Sequence, residues 1–198
     1  TPVTPSTPNT PQPGQPVDPL QPSGPKVPLL DDDRPLTVDS ITVNEGSGYG
    51  VFTVTGEPGQ KTQLELQTSG IGQGHAEAGV DYGTQLQYFD EVAQQWKDYT
   101  PGQWVEIPAD KTLQVRVEIK ADTTYEGPET FKLVASNTGG SKATGTGTIV
   151  DDGTGTTWVP VDPSQPGTTP TDPKAPGLVL TPVTPSTPNT PQPGQPVD

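Results

Sequence analysis

Few residues of this chain are of the types that carry out catalysis. The sequence has one histidine, His75, and no cysteine, so neither a Cys–His nucleophile pair nor a zinc cluster can form. His75 lies in the glycine-rich stretch GIGQGHAEAG, which lacks the Walker pattern, and no motif supports a Ser–His–Asp triad through it. Carboxylate pairs are abundant, but a glycosidase needs a cleft, and a small domain with short loops leaves little room for one. We therefore expect no enzymatic activity.

Aromatic residues cluster in one stretch, YFDEVAQQWKDY, which runs from Tyr88 to Tyr99. Its rings bracket a polar turn region, so we predict a β-hairpin that projects from the domain. Such rings either pack locally or stack against a bound sugar, and the second interpretation requires them to be exposed. On that interpretation the ligand-binding residues are Tyr88, Trp96 and Tyr99.

The charge balance excludes other classes of partner. The formal net charge is −14 at pH 7, and a polyanion is repelled by nucleic acids and anionic membranes but attracts divalent cations. No stretch approaches the ~20 apolar residues that span a bilayer. The absence of cysteine and methionine fits an exposed protein. We expect no nucleic-acid partner, no membrane insertion, and an extracellular or bacterial cell-surface location.

The chain contains an internal repeat. Residues 1–18 read TPVTPSTPNTPQPGQPVD, and residues 181–198 are identical to them. Such self-similarity is typical of tandem-repeat proteins, so the expected partners are neighbouring repeats of the same protein, in a tandem array or a homo-oligomeric filament. Composition divides the chain into Pro-rich stalks over 1–30 and 153–198 and one domain over 31–152.

The prolines of the stalks recur every three residues. Pro2, Pro5, Pro8 and Pro11 form one such run, and the later runs follow the same step. Polyproline II has three residues per turn, so each run lines its prolines along one ridge of an extended helix. The stalks are either semi-rigid spacers or surfaces whose proline ridge packs against a domain or another stalk.

The middle of the chain has the pattern of an all-β domain. Apolar residues alternate with polar ones in short runs separated by Gly, Asp, Asn and Pro, which predicts a two-sheet β-sandwich. The predicted strands are Leu36–Val43, Tyr49–Thr55, Thr62–Thr68, Gln85–Phe89, Trp104–Ile107, Leu113–Ile119, Thr130–Ala135 and Thr144–Val150.

Four acidic motifs follow one another along this domain: VNEG at 43–46, AGVDY at 78–82, IKADTTYEGPETF at 119–131 and GTIVDD at 147–152. In their order and spacing they resemble the motifs of Calx-β domains. The resemblance covers residues 36–152 and leaves out the stalks. It implies an Ig-like sandwich, of the kind that occurs in sodium–calcium exchangers and in tandem in giant bacterial adhesins.

The resemblance also implies a calcium site at one end of the sandwich. Calcium takes six to eight hard oxygen ligands. The chain departs from the strongest calcium binders at Ala121, Thr123 and Gly153, where they carry acidic residues, so at most one weakly bound ion is expected. The alternative is that these carboxylates are solvated or bond nearby amides. The matching positions are Glu45, Asp81, Asp122, Glu126, Glu129, Asp151 and Asp152.

A second acidic run, Asp31 to Asp33, precedes the first predicted strand. It should lie at the opposite end of the sandwich, either as a solvated turn or as part of an ion site shared with a neighbour. Taken together, the sequence predicts a structural repeat unit of a long extracellular adhesin or fibre, with sandwich modules joined by polyproline stalks. The alternative function is a carbohydrate- or protein-binding module of a surface adhesin.

Overall fold

The computed structural model describes residues 32–160 and 178–181. These residues form twelve β-strands and no helix, and therefore contain no helix that could cross a membrane. The predicted stalks over 1–30 and most of 153–198, with their polyproline II conformation, lie outside the described residues. The strands are β1 (Thr37–Val38), β2 (Ile41–Asn44), β3 (Tyr49–Thr55), β4 (Lys61–Thr68), β5 (Tyr82–Asp90), β6 (Gln95–Asp98), β7 (Val105–Glu106), β8 (Thr112–Ile119), β9 (Glu129–Asn137), β10 (Lys142–Val150), β11 (Thr157–Pro160) and β12 (Leu178–Thr181).

The strands pair into two sheets. The larger has seven strands in the order β12-β11-β3-β8-β5-β6, with β1 also paired to β3, and the smaller has the order β2-β10-β9-β4-β7. Among the pairs of named strands, β2 with β10 is parallel and the others are antiparallel. The predicted all-β class is confirmed, and the two sheets are consistent with a β-sandwich.

The two sheets share one hydrophobic core. Strand β8 turns the apolar residues of its LQVRVEI run to the core because successive side chains point to opposite faces. At the centre of the core, Phe131 of the small sheet stacks on Tyr82, with 4.5 Å between ring centroids, and meets the edge of Phe52 from the large sheet. These contacts hold the two layers together.

The segment predicted as one strand over Leu36–Val43 divides between the sheets. Strand β1 pairs with β3 in the large sheet, and β2 pairs with β10 in the small one. The chain crosses over β10 between them, and a Cβ atom at Gly145 would lie 2.0 Å from the Asp39 carbonyl oxygen. Gly145 is therefore the residue that allows this crossing.

The large sheet continues beyond Asp152, the predicted end of the sandwich. Trp158 of β11 lies opposite Tyr49 of β3. Its backbone N–H donates to the Ser47 hydroxyl at 2.8 Å, and its carbonyl accepts from the Gly48 N–H at 2.8 Å. Strand β12 then pairs with β11. Composition assigned these residues to a stalk, but TTWV and LVLT are rich in residues that favour strands.

Replacing Gly147 by alanine is expected to destabilise the domain by about 1–3 kcal/mol. A Cβ atom at this position would lie 2.5 Å from the Phe131 ring, which cannot move aside because Tyr82 and Phe52 hold it. Urea unfolding of Gly147→Ala measures the loss. Gly127→Ala is the matched control, since nothing lies within 4 Å of its added Cβ. Equal stability of the two variants would contradict this account of the core.

Candidate metal centre

Five carboxylates from distant parts of the sequence meet at one end of the sandwich. They do so because β2 and β10 are parallel and end at the same place, while β9, antiparallel to β10, begins there. The loop before β5 and the loop before β9 complete the cluster. We call the cavity that they line the acidic pocket. Its acidic residues are Glu45, Asp81, Glu126, Glu129 and Asp151.

The acidic pocket has the dimensions of an ion site. Carboxylate oxygens of Asp81, Glu126 and Glu129 all lie within 4.8 Å of one another. An ion bound at 2.3–2.6 Å, the usual calcium–oxygen distance, would reach oxygens on opposite sides at this separation. The space between these side chains is about 10 Å³, which suits one small particle. These three residues could therefore hold a metal ion.

Burial and mutual repulsion disfavour the charged forms of two of these groups. Burial, followed by the charges of Asp81 and Glu126, raises the pKa of Glu129 to about 7, and a hydrogen bond with Asp81 adds to this. Burial, with the charges of Asp151, Asp122 and Glu126, raises the pKa of Glu45 to about 7 as well. Without a cation, these two glutamates therefore hold their protons to a higher pH than exposed glutamates do. A divalent cation would replace those protons.

Backbone amides hold two of the carboxylates in place. Glu45, which is 8% exposed, accepts a hydrogen bond from the Asp122 N–H through Oε1 at 2.7 Å. Asp81 accepts one from the Glu77 N–H through Oδ2. These bonds fix the side chains before any ion binds, which lowers the entropic cost of assembling the site.

The other two predicted ligands point elsewhere. The Asp122 carboxylate accepts from the Thr124 N–H at 2.6 Å, so this residue supports Glu45 through its own backbone. The Asp152 carboxylate accepts from the Thr154 N–H at 2.9 Å and from the Thr154 hydroxyl. These bonds lower the pKa of Asp152. Both carboxylates thus bond nearby amides, whereas the other five predicted ligands line the acidic pocket.

No protein-family model matches the chain, and no curated protein matches it in sequence. The likeness to Calx-β domains therefore depends on the four motifs themselves. Each of these motifs contributes at least one carboxylate to the acidic pocket.

The free energy of unfolding in calcium-free buffer is expected to fall as the pH rises from about 4.5 to about 7. Folding raises the pKa of Glu45 and Glu129 from 4.5 to about 7. The folded state therefore holds protons that the unfolded state has lost in this range. The stabilisation is complete below pH 4.5 and is lost as the pH passes the folded pKa. Urea unfolding with a chelator at several pH values checks this. Glu45→Gln should weaken the dependence of the free energy of unfolding on pH. A free energy of unfolding that rises between about pH 4.5 and about pH 7 would contradict the prediction.

The second acidic run lies at the other end of the sandwich, as predicted. The Asp32 N–H donates to the Thr138 hydroxyl at 2.9 Å, and its carbonyl accepts from the Gly139 N–H. Both partners belong to the turn between β9 and β10. The Asp32 carboxylate pairs with Arg34 at 2.6 Å. Asp33 is exposed, and Asp31 lies outside the described residues.

The predicted hairpin is formed by β5 and β6, and its aromatic residues separate into three environments. Tyr99 is 4% exposed, and its hydroxyl accepts from the Leu64 N–H and donates to the Gln103 carbonyl. A buried ring offers no face to a sugar, so Tyr99 leaves the candidate ligand-binding residues. Tyr88 packs against the core. Trp96 alone of the three lies on the outer side of the large sheet, with Val51 and Trp158.

The outer side of the large sheet also brings Trp96 together with two residues that no sequence motif indicated, Tyr49 and Arg116. The Arg116 guanidinium lies 4.0 Å from the centroid of the Tyr49 ring and 4.3 Å from that of Trp96. Its Nε donates to the Gln87 side chain at 2.8 Å. The three residues come from β3, β6 and β8. They meet because of the order of these strands in the sheet, so no local motif in the sequence indicates the cluster. We call Tyr49, Arg116 and Trp96 the aromatic face.

Proposed function

We propose that this chain is a structural repeat unit of a long extracellular adhesin or fibre, and that calcium in the acidic pocket stiffens each sandwich against tension. The module transmits force between the stalks that precede and follow it. The repeated segment at 1–18 and 181–198 supports the array, and the charge and composition support a location outside the cell or on a bacterial surface. The partners are neighbouring repeats, in a tandem array or an ordered filament.

The observation that carries this proposal is the position of two carboxylates at the ends of the first and last strands, in chain order, of the small sheet. Glu45 directly follows β2, Asp151 directly follows β10, and both line the acidic pocket. Strands β2 and β10 are parallel neighbours with four residue pairs, from Ile41–Gly147 to Asn44–Val150. An ion held by Asp81, Glu126 and Glu129 would lie in the same pocket as Glu45 and Asp151, and its charge would attract the carboxylates that follow β2 and β10.

The path of the chain fits a module under tension. The described chain enters beside the β9–β10 turn, where Asp32 bonds Gly139, and β10 ends at the opposite pole with the acidic pocket. Tension between Asp32 and the end of β10 would therefore run along β2 and β10. In such a geometry several hydrogen bonds share the load and must break together.

The arrangement of the first two strands supports the Ig-like type of sandwich that the Calx-β motifs imply. Strand β1 belongs to one sheet, β2 belongs to the other, and β2 runs parallel to the last strand of the small sheet. An Ig-like domain of this kind is a compact building block for arrays. The proposed structural role needs a filled core and a firm attachment between β2 and β10, and it needs no substrate cleft.

Isothermal titration of the full chain with calcium tests the metal part of the proposal. We expect one ion per chain, with a dissociation constant on the order of 10⁻⁴–10⁻³ M, as in extracellular calcium modules. Asp81→Asn with Glu129→Gln should abolish the binding heat. Asp152→Asn should retain it, because that carboxylate bonds Thr154 instead. Absence of binding by the unaltered chain at millimolar calcium would overturn the metal site.

A further inference from the structure

We propose that the proline-rich segment 182–198 docks across the aromatic face of the sandwich that precedes it. The inference rests on the proposed function, because it gives the stalk of the array a defined binding surface on the sandwich. It decides between the two roles that the three-residue proline period leaves open. The stalk is then an assembly surface over this part of its length, and not a free spacer.

The segment 182–198 begins at the edge of the sheet on which it is proposed to dock. Strand β12 ends at Thr181, at the edge of the same sheet that carries the aromatic face. From β12 to β6 the sheet spans five strand spacings, or about 24 Å. As polyproline II, the 17 residues of 182–198 extend about 53 Å. The segment therefore starts beside the face and is long enough to cross it.

The chemistry of the aromatic face suits a ridge of prolines. Proline ridges bind surfaces lined by aromatic rings, because the pyrrolidine rings stack on them. Tyr49 and Trp96 are half-buried rings on either side of Arg116. The backbone carbonyls of polyproline II have no internal partners. Arg116 and Lys120 can donate to such carbonyls, since both line a groove of about 360 Å³ along this face.

The charge of the segment 182–198 also favours its docking on this face. The protein carries a net charge of −14, yet the segment 182–198 has no charged residue before Asp198. The groove beside the aromatic face pairs the cations Arg116 and Lys120 with a single acidic residue, Glu118. A nearly neutral segment can therefore approach this face without the repulsion that the acidic protein imposes on anions.

Docking also accounts for the identity of 1–18 and 181–198. If each copy of this segment lies on one sandwich, its proline positions and its length must match the same surface every time. A free spacer requires no such match. The ridge that contacts the face would be formed by Pro182, Pro185, Pro188 and Pro191.

Paramagnetic broadening in the full 198-residue chain tests the proposal. The chain has no cysteine and three tryptophans, so Thr187→Cys takes a nitroxide label at one place and the indole N–H signals are readily assigned. Trp96 lies on the aromatic face, whereas Trp104 precedes β7 in the other sheet. We expect the label to remove the Trp96 indole signal and leave that of Trp104, with recovery after reduction of the nitroxide.

Matched changes in the segment test the role of the proline ridge. Pro185→Ala, Pro188→Ala and Pro191→Ala together should restore the Trp96 signal in the labelled chain. Thr184→Ala with Thr190→Ala, on a different ridge, should leave it broadened. Tyr49→Ala should also restore it, with an unshifted Trp104 signal to confirm folding. None of the stalk changes should alter calcium binding, so failure of docking is distinguishable from failure of the proposed function.

Three outcomes would overturn the docking proposal. One is equal broadening, or none, at Trp96 and Trp104. Another is broadening of Trp96 only when spin-labelled and isotope-labelled chains are mixed, which would place the segment on a second copy. The third is an unaffected Trp96 signal that shifts instead with an added neutral oligosaccharide, which would make the face a sugar site.

Discussion

Calcium at about a hundred times its dissociation constant is expected to stabilise the folded chain by about 2.7 kcal/mol. For a domain of this size the midpoint of thermal unfolding should then rise by roughly 10 °C relative to the same protein in chelator. The physical reason is that the ion binds carboxylates which only the folded chain brings within 4.8 Å of one another. Differential scanning calorimetry at neutral pH measures the shift.

Two double variants of equal charge isolate the acidic pocket as the cause. Glu126→Gln with Glu129→Gln should lose the calcium shift. In chelator this variant should be more stable than the unaltered chain near pH 7, because neutral amides remove the cost of burying a charge and the repulsion that together raise the pKa of Glu129. Glu65→Gln with Glu106→Gln changes two exposed carboxylates on β4 and β7 and should keep the shift. A calcium shift of equal size in both variants would refute the site.

Tension along the two ends of the domain is expected to meet several-fold more resistance than tension across its edge. Cysteines at Asp33 and Thr154 would load the four pairs of β2 and β10 together. Cysteines at Lys61 and Glu106, which face each other across β4 and β7, would open that edge one hydrogen bond at a time. Single-molecule force spectroscopy compares the two directions in a chain that has no cysteine of its own.

Calcium should raise the unfolding force in the first direction and leave the second unchanged. The ion would attract the carboxylates of Glu45 and Asp151, which line the same pocket and continue β2 and β10, whereas β4 and β7 lie away from the acidic pocket. Glu126→Gln with Glu129→Gln should remove the calcium effect on force. Equal forces in both directions, with or without the ion, would show that the terminal strands bear no special load.

The strand pattern made the fold class predictable, but the division of strands between sheets was not. The alternation in LTVDSITV predicts a strand and says nothing of a crossing at Asp39, which depends on contact with Gly145 from a distant part of the chain. The extension of the large sheet by β11 was missed for a related reason. Proline content dominated the composition there, while the pairing of Trp158 with Tyr49 depends on tertiary contact.

For the candidate site, the motifs indicated which loops carry carboxylates but not where each side chain points. Asp152 and Asp122 have the same chemistry as Asp151, yet each forms a local turn with a threonine two residues later. Only the coordinates distinguish a carboxylate that bonds its own loop from one that faces the acidic pocket. The aromatic face could not be found from sequence, because Tyr49, Trp96 and Arg116 meet only through the order of strands in the sheet.

The pairing of β2 with β10 has a consequence for the order in which the domain folds. Its partners, Ile41–Asn44 and Gly147–Val150, are separated by roughly a hundred residues of chain, and closing so large a loop is entropically slow. A chain that emerges N-terminus first must hold β2 unpaired until nearly the whole domain has been made. The acidic pocket, which needs both Glu45 and Asp151, is completed at the same late step. Each repeat would therefore bind its ion only after nearly the whole domain has been synthesised and folded.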